Sequence, residues 1–236
     1  PDRDLLTMDV PFLNNYLKQI VKTCHNRNIH AMGGLSALLP SKSENENKDI
    51  IDKILQDKSI EIKEGCDGAW VAHPFLIDHV KEHFNKSLNN KDNQIESSMN
   101  KDVTITKECL SDLQADLTSF SNYTKKNIDN NISVSLQYLY SWLLGNGAVA
   151  INGVMEDMAT CEISLYQLKQ WLNKEVFYFD APHHNRFDSN MFLQCLEEGF
   201  KQESLKEGVN ILKLSAAKNI IEQYVLDKES KFLVEK

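Results

Sequence analysis

Two short apolar runs decide the fold class: Ile29-His30-Ala31-Met32, which Gly33-Gly34 ends, and Ala69-Trp70-Val71-Ala72, which His73-Pro74 ends. Both runs have the length and composition of buried strands, and strand-breaking residues follow them. Between the two runs, apolar residues recur on one face of a predicted helix: Ile50, Ile51, Ile54 and Leu55. A strand, a helix and a second strand in this order indicate a parallel sheet.

The flanking segments add helices to this region but no further strands. Residues 10–27 predict an amphipathic helix with Pro11 in its first turn, and another helix is predicted through Ile77, Val80 and Phe84. A parallel sheet needs cover on both faces, which two strands and their helices cannot provide by themselves. Residues 1–88 are therefore expected to be the last strands and helices of a TIM-type barrel that begins outside this sequence.

The composition changes after residue 88, where Asn, Lys and Ser dominate and apolar positions are rare. We expect residues 89–103 to be a polar, solvated linker. Beyond it, strand patterns nearly vanish and apolar positions recur at helical spacing. Helices are predicted over 107–113, up to Leu144 with Gly145 as its stop, and near 156–163, 165–173, 188–203 and 209–226. The expected fold is α/β, the end of a barrel, followed by an all-α helical domain over residues 104–236.

Composition and charge exclude several classes of protein. The net charge of −8 and the scarcity of arginine, with only Arg3, Arg27 and Arg186, argue against a nucleic-acid binder. Five widely separated cysteines without a Cys-x-x-Cys pair favour a reduced, intracellular protein. No apolar stretch is long enough to span a membrane. The last residues are not the Ser-Lys-Leu peroxisomal address, so the expected compartment is cytoplasmic or peroxisomal without a recognised C-terminal signal.

Three segments depart from ordinary core patterning, and each also has a simpler explanation. Gly33-Gly34 is either a plain turn, which the segment alone favours, or a close approach of backbone to a ligand. Trp70, near the end of a predicted barrel strand, is either a core residue or the wall of a pocket at the functional face. Glu156 and Asp157 lie at a predicted helix start. Acidic side chains interact favourably with the helix dipole there, which would explain both residues without any catalytic role.

Taken together and in order, these segments resemble malate synthases. The matching runs are Pro1-Asp2-Arg3, Met8-Asp9-Val10-Pro11-Phe12-Leu13, Lys22-Thr23-Cys24-His25, Ala31-Met32-Gly33-Gly34, Asp67-Gly68-Ala69-Trp70-Val71-Ala72-His73-Pro74, Gln137-Tyr138, Trp142, Gly145-Asn146-Gly147, Met155-Glu156-Asp157, Ala159-Thr160, Glu162-Ile163-Ser164 and Gln170-Trp171. Each run is weak singly, and the joint match comes from their order and spacing. The resemblance covers nearly the whole chain and loosens beyond about residue 175.

The resemblance implies that the α/β part is the C-terminal part of a TIM (β/α)8 barrel and that the helical domain caps it as a plug. It also implies an acyltransferase of the glyoxylate cycle, which condenses acetyl-CoA with glyoxylate and hydrolyses the thioester to give malate and CoA. It implies that Asp157 is the catalytic carboxylate, which removes the methyl proton, and that Glu156 is a structural cap or salt-bridge partner. It also implies that Trp70, Pro74 and Met155 line the acetyl-CoA channel. A Mg²⁺ ion serves the complete enzyme, but its ligands and the charge-stabilising Arg match earlier barrel strands, so no metal ligand is expected in this chain.

Several expectations concern what the chain needs and where it departs from the family. Besides acetyl-CoA and glyoxylate, the expected partner is the N-terminal half of the barrel, without which the chain is expected to be inactive. Ala148, Ala150, Asn152 and Met158 stand where the family usually has Cys, Pro, an aromatic residue and a small residue. These changes motivate an alternative, a catalytically inactive remnant that acts as an interaction or CoA-binding module. Metal binding at His79 and His83, or at His183-His184, is a weaker hypothesis because no third ligand is evident.

Overall fold

The computed structural model describes residues 10–97, 104–111, 123–180, 183–227, 229 and 233. The chain divides into two compact units, Asp4–Phe120 and Ser121–Lys236. The matching run at residues 1–9 and part of the predicted linker, residues 98–103, lie outside the described residues. No helix within the described ranges combines the length and apolar character needed to cross a membrane.

The N-terminal unit contains two parallel strands and the helices that pack beside them. In chain order these are α1 (Pro11–His25), β1 (Met32–Ser36), α2 (Glu44–Lys63), β2 (Gly68–Val71), a 3-10 turn (Pro74–Leu76), α3 (Ile77–Ser87) and the short α4 (Lys107–Ser111). Strands β1 and β2 pair in parallel, as the sequence predicts. The core between sheet and helices is formed by Ile54, Ile62, Leu76, Val80, Phe84 and Leu88.

Local signals explain where these elements begin. Pro11 occupies the first turn of α1, where its missing N–H costs no hydrogen bond. The Ser43 side chain accepts from the Glu46 N–H and caps α2. Thr106 Oγ1 accepts from the Cys109 N–H at 3.4 Å and so caps α4. One prediction is wrong: β1 does not end before Gly33-Gly34 but runs through both glycines to Ser36.

The polar segment after α3 is not solvated throughout, which corrects the expectation for its first part. The Gln94 N–H donates to Asp67 Oδ1 at 2.6 Å, and the Gln94 side-chain amide donates to the carbonyl oxygens of Ile62 and Cys66 at 3.0 and 2.8 Å. Asp67 Oδ2 in turn lies 2.9 Å from His25 Nε2 and accepts from the Ala31 N–H at 2.6 Å. Asp67, which directly precedes β2, therefore connects Gln94 by hydrogen bonds to Ala31, the residue before β1.

The described part of the C-terminal unit contains four long helices with small β-structures between them. In chain order these are β3 (Tyr123–Thr124), α5 (Lys125–Leu143), β4 (Val149–Ile151), β5 (Val154–Glu156), α6 (Met158–Lys174), β6 (Phe177–Asp180), β7 (His183–Arg186), α7 (Ser189–Ser204) and α8 (Ile211–Leu226). The core includes Ile128, Ile132, Leu136, Leu165, Leu168, Phe192, Leu196, Leu214 and Ile221 from all four helices. The predicted sequence of an α/β part and a helical part is confirmed.

Details of the helical part differ from the prediction. Helix α5 ends at Leu143 and Gly145 follows with φ of +96°, as expected for a helix stop. The helices predicted over 156–163 and 165–173 are one helix, α6, and Ser164 lies inside it rather than capping a second one. Strands β3, β6 and β7 form a small sheet, and β4 and β5 form a hairpin, none of which the sequence analysis anticipated.

Candidate active site

The hairpin of β4 and β5 leads directly into the predicted catalytic residue. Its strands pair antiparallel, with Val149 opposite Glu156 and Ile151 opposite Val154. The two turn residues between them, Asn152 and Gly153, have φ of +51° and +77°, as a type I′ turn requires. Asn-Gly between apolar runs is a strong hairpin signal, so the sequence contained the information for this hairpin, which was not predicted.

The hairpin has one face toward the helical core and one face away from it. Ile151 and Glu156 are buried, and the residues directly opposite them in the pairing share their face. Ala150 and Met155 form the intervening pair, so they lie on the other face, where Ala150 is exposed and Met155 half-buried. Met155 thus lies on the side of the hairpin that is not committed to the core.

Asp157 is the residue that connects the hairpin to α6, and it is exposed. Its Oδ1 accepts from the Thr160 N–H at 3.0 Å, and the Asp157 N–H donates to Thr160 Oγ1 at 2.9 Å. This reciprocal pair is a capping box, which fixes the carboxylate at the N-terminus of a 17-residue helix. Among the described residues, no hydrogen bond reaches Asp157 Oδ2.

Tyr138 connects α5 to the loop that precedes the hairpin. Its side chain is almost completely buried, and its hydroxyl donates to the Gly147 carbonyl oxygen at 3.1 Å. Burial raises the pKa of the Tyr138 hydroxyl, and electrostatic repulsion from the Asp157 carboxylate adds to the effect. In the sequence, Tyr138 was only one of the residues that match the family, without an assigned role.

Glu156 does not have the role that was expected for it. The helix cap is Asp157, and Glu156 side-chain atoms are buried on the core face, with only 6% of the residue exposed. Within the described part of the chain, Glu156 Oε2 accepts no hydrogen bond and Glu156 forms no ion pair. Next to it, burial raises the pKa of the Cys161 thiol to about 12, with Glu156 contributing. The Cys161 thiol is therefore protonated and unreactive at neutral pH.

Met158, one of the departures from the family pattern, directly follows Asp157 in the chain. Its side chain is half-buried and packs against the helical core. Ala148, Ala150 and Asn152, the other departures, are exposed.

In the N-terminal unit, the predicted channel residues lie at and just after β2. Trp70 is 62% exposed, so it is not part of the core of the described N-terminal unit. Pro74 opens the 3-10 turn after β2, which His73 caps by accepting from the Phe75 N–H at 3.2 Å. The four predicted site residues thus fall into two pairs, Trp70 and Pro74 in this unit and Met155 and Asp157 in the C-terminal unit.

The described residues do not offer a metal site. No group of three or more His, Cys, Asp or Glu side chains converges among them. His83 Nε2 lies 2.9 Å from Ser59 Oγ, and the His79 ring packs at 5.4 Å from the Phe75 ring, so both have neighbours other than a metal. His183 lies in β7 and is exposed, whereas the His184 side chain lies outside the described residues. The residues at hand therefore do not fit the Mg²⁺ ion that the resemblance implies.

Each of the two units matches a protein family. Residues 1–113 match the family described as "Malate synthase, TIM barrel domain", and residues 122–234 match "Malate synthase, C-terminal". The chain belongs to the malate synthase family. The α/β unit is accordingly part of the malate synthase TIM barrel, and the fold class predicted from the sequence is confirmed.

Named malate synthases resemble the chain over most of its length. Malate synthase A of Escherichia coli (strain K12) is 39% identical over 85% of this chain, and malate synthase of Dictyostelium discoideum is 39% identical over 87%. The glyoxysomal malate synthase of Glycine max is 38% identical over 89%. The matched regions cover 36%, 37% and 38% of those relatives. The chain thus spans roughly a third of the length of the malate synthases that it matches.

Proposed function

We propose that this chain supplies the catalytic carboxylate of a malate synthase, an acyltransferase that makes malate from acetyl-CoA, glyoxylate and water in the glyoxylate cycle. In this proposal residues 1–88 complete the barrel and residues 89–103 lead out of it. The helical plug that carries the base begins after α4 rather than at residue 104, because α4 belongs to the N-terminal unit. The observation that supports it best is the position of Asp157. A charged, exposed carboxylate is held by a capping box at a helix start, directly after a hairpin whose outward face carries Met155.

The proposed chemistry begins with a proton transfer. Asp157 Oδ2 takes a proton from the methyl carbon of acetyl-CoA, and the electron pair of that C–H bond forms the enolate. The enolate carbon then attacks the aldehyde carbon of glyoxylate, whose oxygen becomes an alkoxide and takes up a proton in place of the one that Asp157 removed. Water then cleaves the thioester: its hydroxyl group adds to the acyl carbon and its proton goes to the sulfur of the departing CoA, so that malate and CoA are released. The capping bond from the Thr160 N–H to Oδ1 holds the carboxylate in place while Oδ2 acts.

The remaining parts of the reaction fall on groups that the described residues do not provide. A bound Mg²⁺ ion supplies charge stabilisation in the complete enzyme, and we assign its ligands, with the charge-stabilising Arg, to preceding barrel strands. Trp70, Pro74 and Met155 are proposed to line the channel for the acyl end and pantetheine arm of acetyl-CoA. The exposed indole of Trp70 and the outward position of Met155 support this assignment.

A fusion protein tests the proposal. The barrel residues that precede the matched region in the E. coli malate synthase A are joined ahead of this chain, and glyoxylate-dependent CoA release is measured. We expect activity in the parent and its loss in Asp157→Asn. An asparagine retains the capping oxygen, so unfolding by urea should be unchanged. Full turnover in Asp157→Asn would show that another group removes the proton.

The second candidate is a CoA-binding module without catalysis. It is supported by the exposed Ala148 and Ala150, which leave the outward face of the hairpin without the side chains that the family usually places there. Calorimetric titration of the chain alone with acetyl-CoA separates the candidates. Tight binding by the chain alone, together with an inactive fusion protein, would favour the module.

The proposed compartment is the cytoplasm or the peroxisome. Free thiols at all five cysteines are consistent with a reducing compartment. The relative from Glycine max is named glyoxysomal, which supports the peroxisomal choice. Fluorescence microscopy of the tagged protein with a peroxisomal marker distinguishes the two.

A further inference from the structure

The pairing of β1 with β2 is irregular at the two glycines. Met32 lies opposite Gly68 and Leu35 lies opposite Trp70, so two residues of β1, Gly33 and Gly34, face the single residue between those partners in β2. One extra residue in one strand is a β-bulge, which is rare between parallel strands and commonly redirects a side chain.

The bulge changes which side chains of β1 share a face. In a regular strand, residues 32 and 35 would point to opposite sides of the sheet because the side-chain period is two. Here both are exposed, Met32 to 43% and Leu35 to 52%, while Gly33 and Ser36 are buried. Leu35 therefore lies on the same exposed face as its partner Trp70.

Two buried side chains of α2 bind the backbone of the bulge. The Gly34 N–H donates to Glu61 Oε1 at 3.0 Å, and Lys58 Nζ donates to the Gly34 carbonyl oxygen at 2.6 Å. Lys58 Nζ also lies 2.8 Å from Glu61 Oε1, and each of the two residues is only 2% exposed. The ion pair thus supplies both hydrogen bonds that Gly34 would make to a neighbouring strand in a regular ladder.

The absence of a side chain at Gly33 leaves room for the Glu61 carboxylate. A Cβ at Gly33 would lie 1.9 Å from Glu61 Oε2, so the carboxylate occupies the space of a side chain. Within the described ranges Oε2 accepts no hydrogen bond, and burial raises the pKa of the Glu61 carboxyl. Burying this charge has a cost, and buried ion pairs rarely contribute net stability compared with apolar residues. Stability alone is therefore a poor explanation for the pair.

We propose that Lys58 and Glu61 are positioning residues, which hold the Gly33-Gly34 bulge and so keep Leu35 and Trp70 on one face of the sheet. The inference rests on the proposed function, because the direction of this face affects catalysis only if Trp70 lines the acetyl-CoA channel. Neither side chain contacts substrate in this scheme. Both act through the backbone of Gly34.

Hydrogen exchange on the chain itself tests the structural half. The Gly34 amide should exchange at least about tenfold more slowly than an unprotected amide, and Glu61→Ala should remove that protection. In Glu61→Gln the side-chain oxygen still accepts, so protection should be retained. Rapid exchange of the Gly34 amide in the unmodified chain would show that Glu61 does not hold the bulge.

Steady-state kinetics of the fusion protein test the functional half. Glu61→Ala and Lys58→Met should raise the KM for acetyl-CoA by about tenfold or more and leave the KM for glyoxylate unchanged. The reason is that a displaced Trp70 would weaken the binding of acetyl-CoA but not that of glyoxylate. Glu61→Gln should restore most of the acetyl-CoA KM. Lys53→Met, at an exposed position of the same helix, is the matched control and should change nothing.

The outcomes separate this inference from the proposed function. An inactive parent fusion overturns the proposed function and, with it, the role of the pair in the channel. An active parent whose acetyl-CoA KM is unchanged in Glu61→Ala, or rises equally for both substrates, leaves the proposed function standing and overturns the positioning role. If Glu61→Ala does not fold, the acetyl-CoA KM of Lys58→Met is compared with that of Glu61→Gln instead, and it should be raised in the first and nearly normal in the second.

Discussion

Gly33→Ala perturbs the bulge with a single added methyl group. The new Cβ would lie 1.9 Å from Glu61 Oε2 and 2.4 Å from Glu61 Cδ, so the carboxylate must move. Its movement breaks the bonds from Lys58 Nζ at 2.8 Å and the Gly34 N–H at 3.0 Å. Breaking a buried ion pair costs about 3–5 kcal/mol, and we expect the free energy of unfolding of the N-terminal unit to fall by that amount.

Urea unfolding followed by far-UV circular dichroism measures this loss, and the unchanged C-terminal unit serves as the reference. Gly34→Ala is the matched control. Its Cβ would lie 3.7 Å from Glu61 Oε1, an ordinary contact, and its φ is not in the left-handed region. We expect Gly34→Ala to cost no more than about 1 kcal/mol.

A double-mutant cycle shows whether the clash is the cause. Adding Glu61→Ala to Gly33→Ala removes the atoms that collide, so the double variant should be no less stable than Glu61→Ala alone. The coupling between the two substitutions should then be about 3 kcal/mol. Additive costs, or a Gly33→Ala variant as stable as Gly34→Ala, would refute the close packing of the carboxylate on Gly33.

Three further predictions concern the capping box, the loop bond and the buried carboxyl. Asp157→Ala should lower the free energy of unfolding of the C-terminal unit by about 1 kcal/mol and Asp157→Asn by only a few tenths, because asparagine still caps a helix; equal losses in urea unfolding would contradict the capping role. Tyr138→Phe should cost about 0.5–1.5 kcal/mol through the lost bond to the Gly147 carbonyl oxygen, measured as a shift in the urea midpoint, and no shift would mean that the bond is replaced. Since burial raises the pKa of Glu61 above 4.5 in the folded state, the folded protein binds more protons, so this group's contribution is complete below pH 4.5 and is lost as pH rises through the raised pKa. The difference in unfolding free energy between the unmodified chain and Glu61→Gln should decline over that range, and a difference that grows with pH would reverse the sign of the shift.

Local patterns predicted the elements of the barrel part but not the bulge. The apolar runs identified β1 and β2, and the apolar face at Ile54 identified the helix between them. Two glycines usually interrupt a strand, and that rule placed the end of β1 too early. The strand continues because side chains at positions 58 and 61 bind the Gly34 backbone, and sequence periodicity contains no information about that contact.

In the helical part, some missed features had a signal and others had none. Asn152-Gly153 announces the hairpin, and the aromatic run Phe177-Tyr178-Phe179 has the composition of a strand. Strand β3 is only two residues long and pairs in parallel with β6 from a distant part of the chain. Such a pairing depends on tertiary contacts, so no local pattern could have predicted it.

The candidate site was predicted residue by residue from the family resemblance rather than from local physics. Considered singly, Asp157 was explained by helix capping and Trp70 by core packing. The structure shows that the capping role of Asp157 is real and that Trp70 is exposed. The catalytic and channel roles stay predictions, because local geometry is compatible with them without requiring them.

The capping box at the start of α6 restricts what evolution or design can place at its first position. Serine, threonine, asparagine and aspartate can each cap the N-terminus of a helix with a side-chain acceptor. Removing a proton from a thioester methyl group calls for a carboxylate, which only aspartate and glutamate provide. Only aspartate belongs to both sets. Under the proposed chemistry, replacement of Asp157 by any other residue would therefore remove the helix cap, the catalytic carboxylate or both.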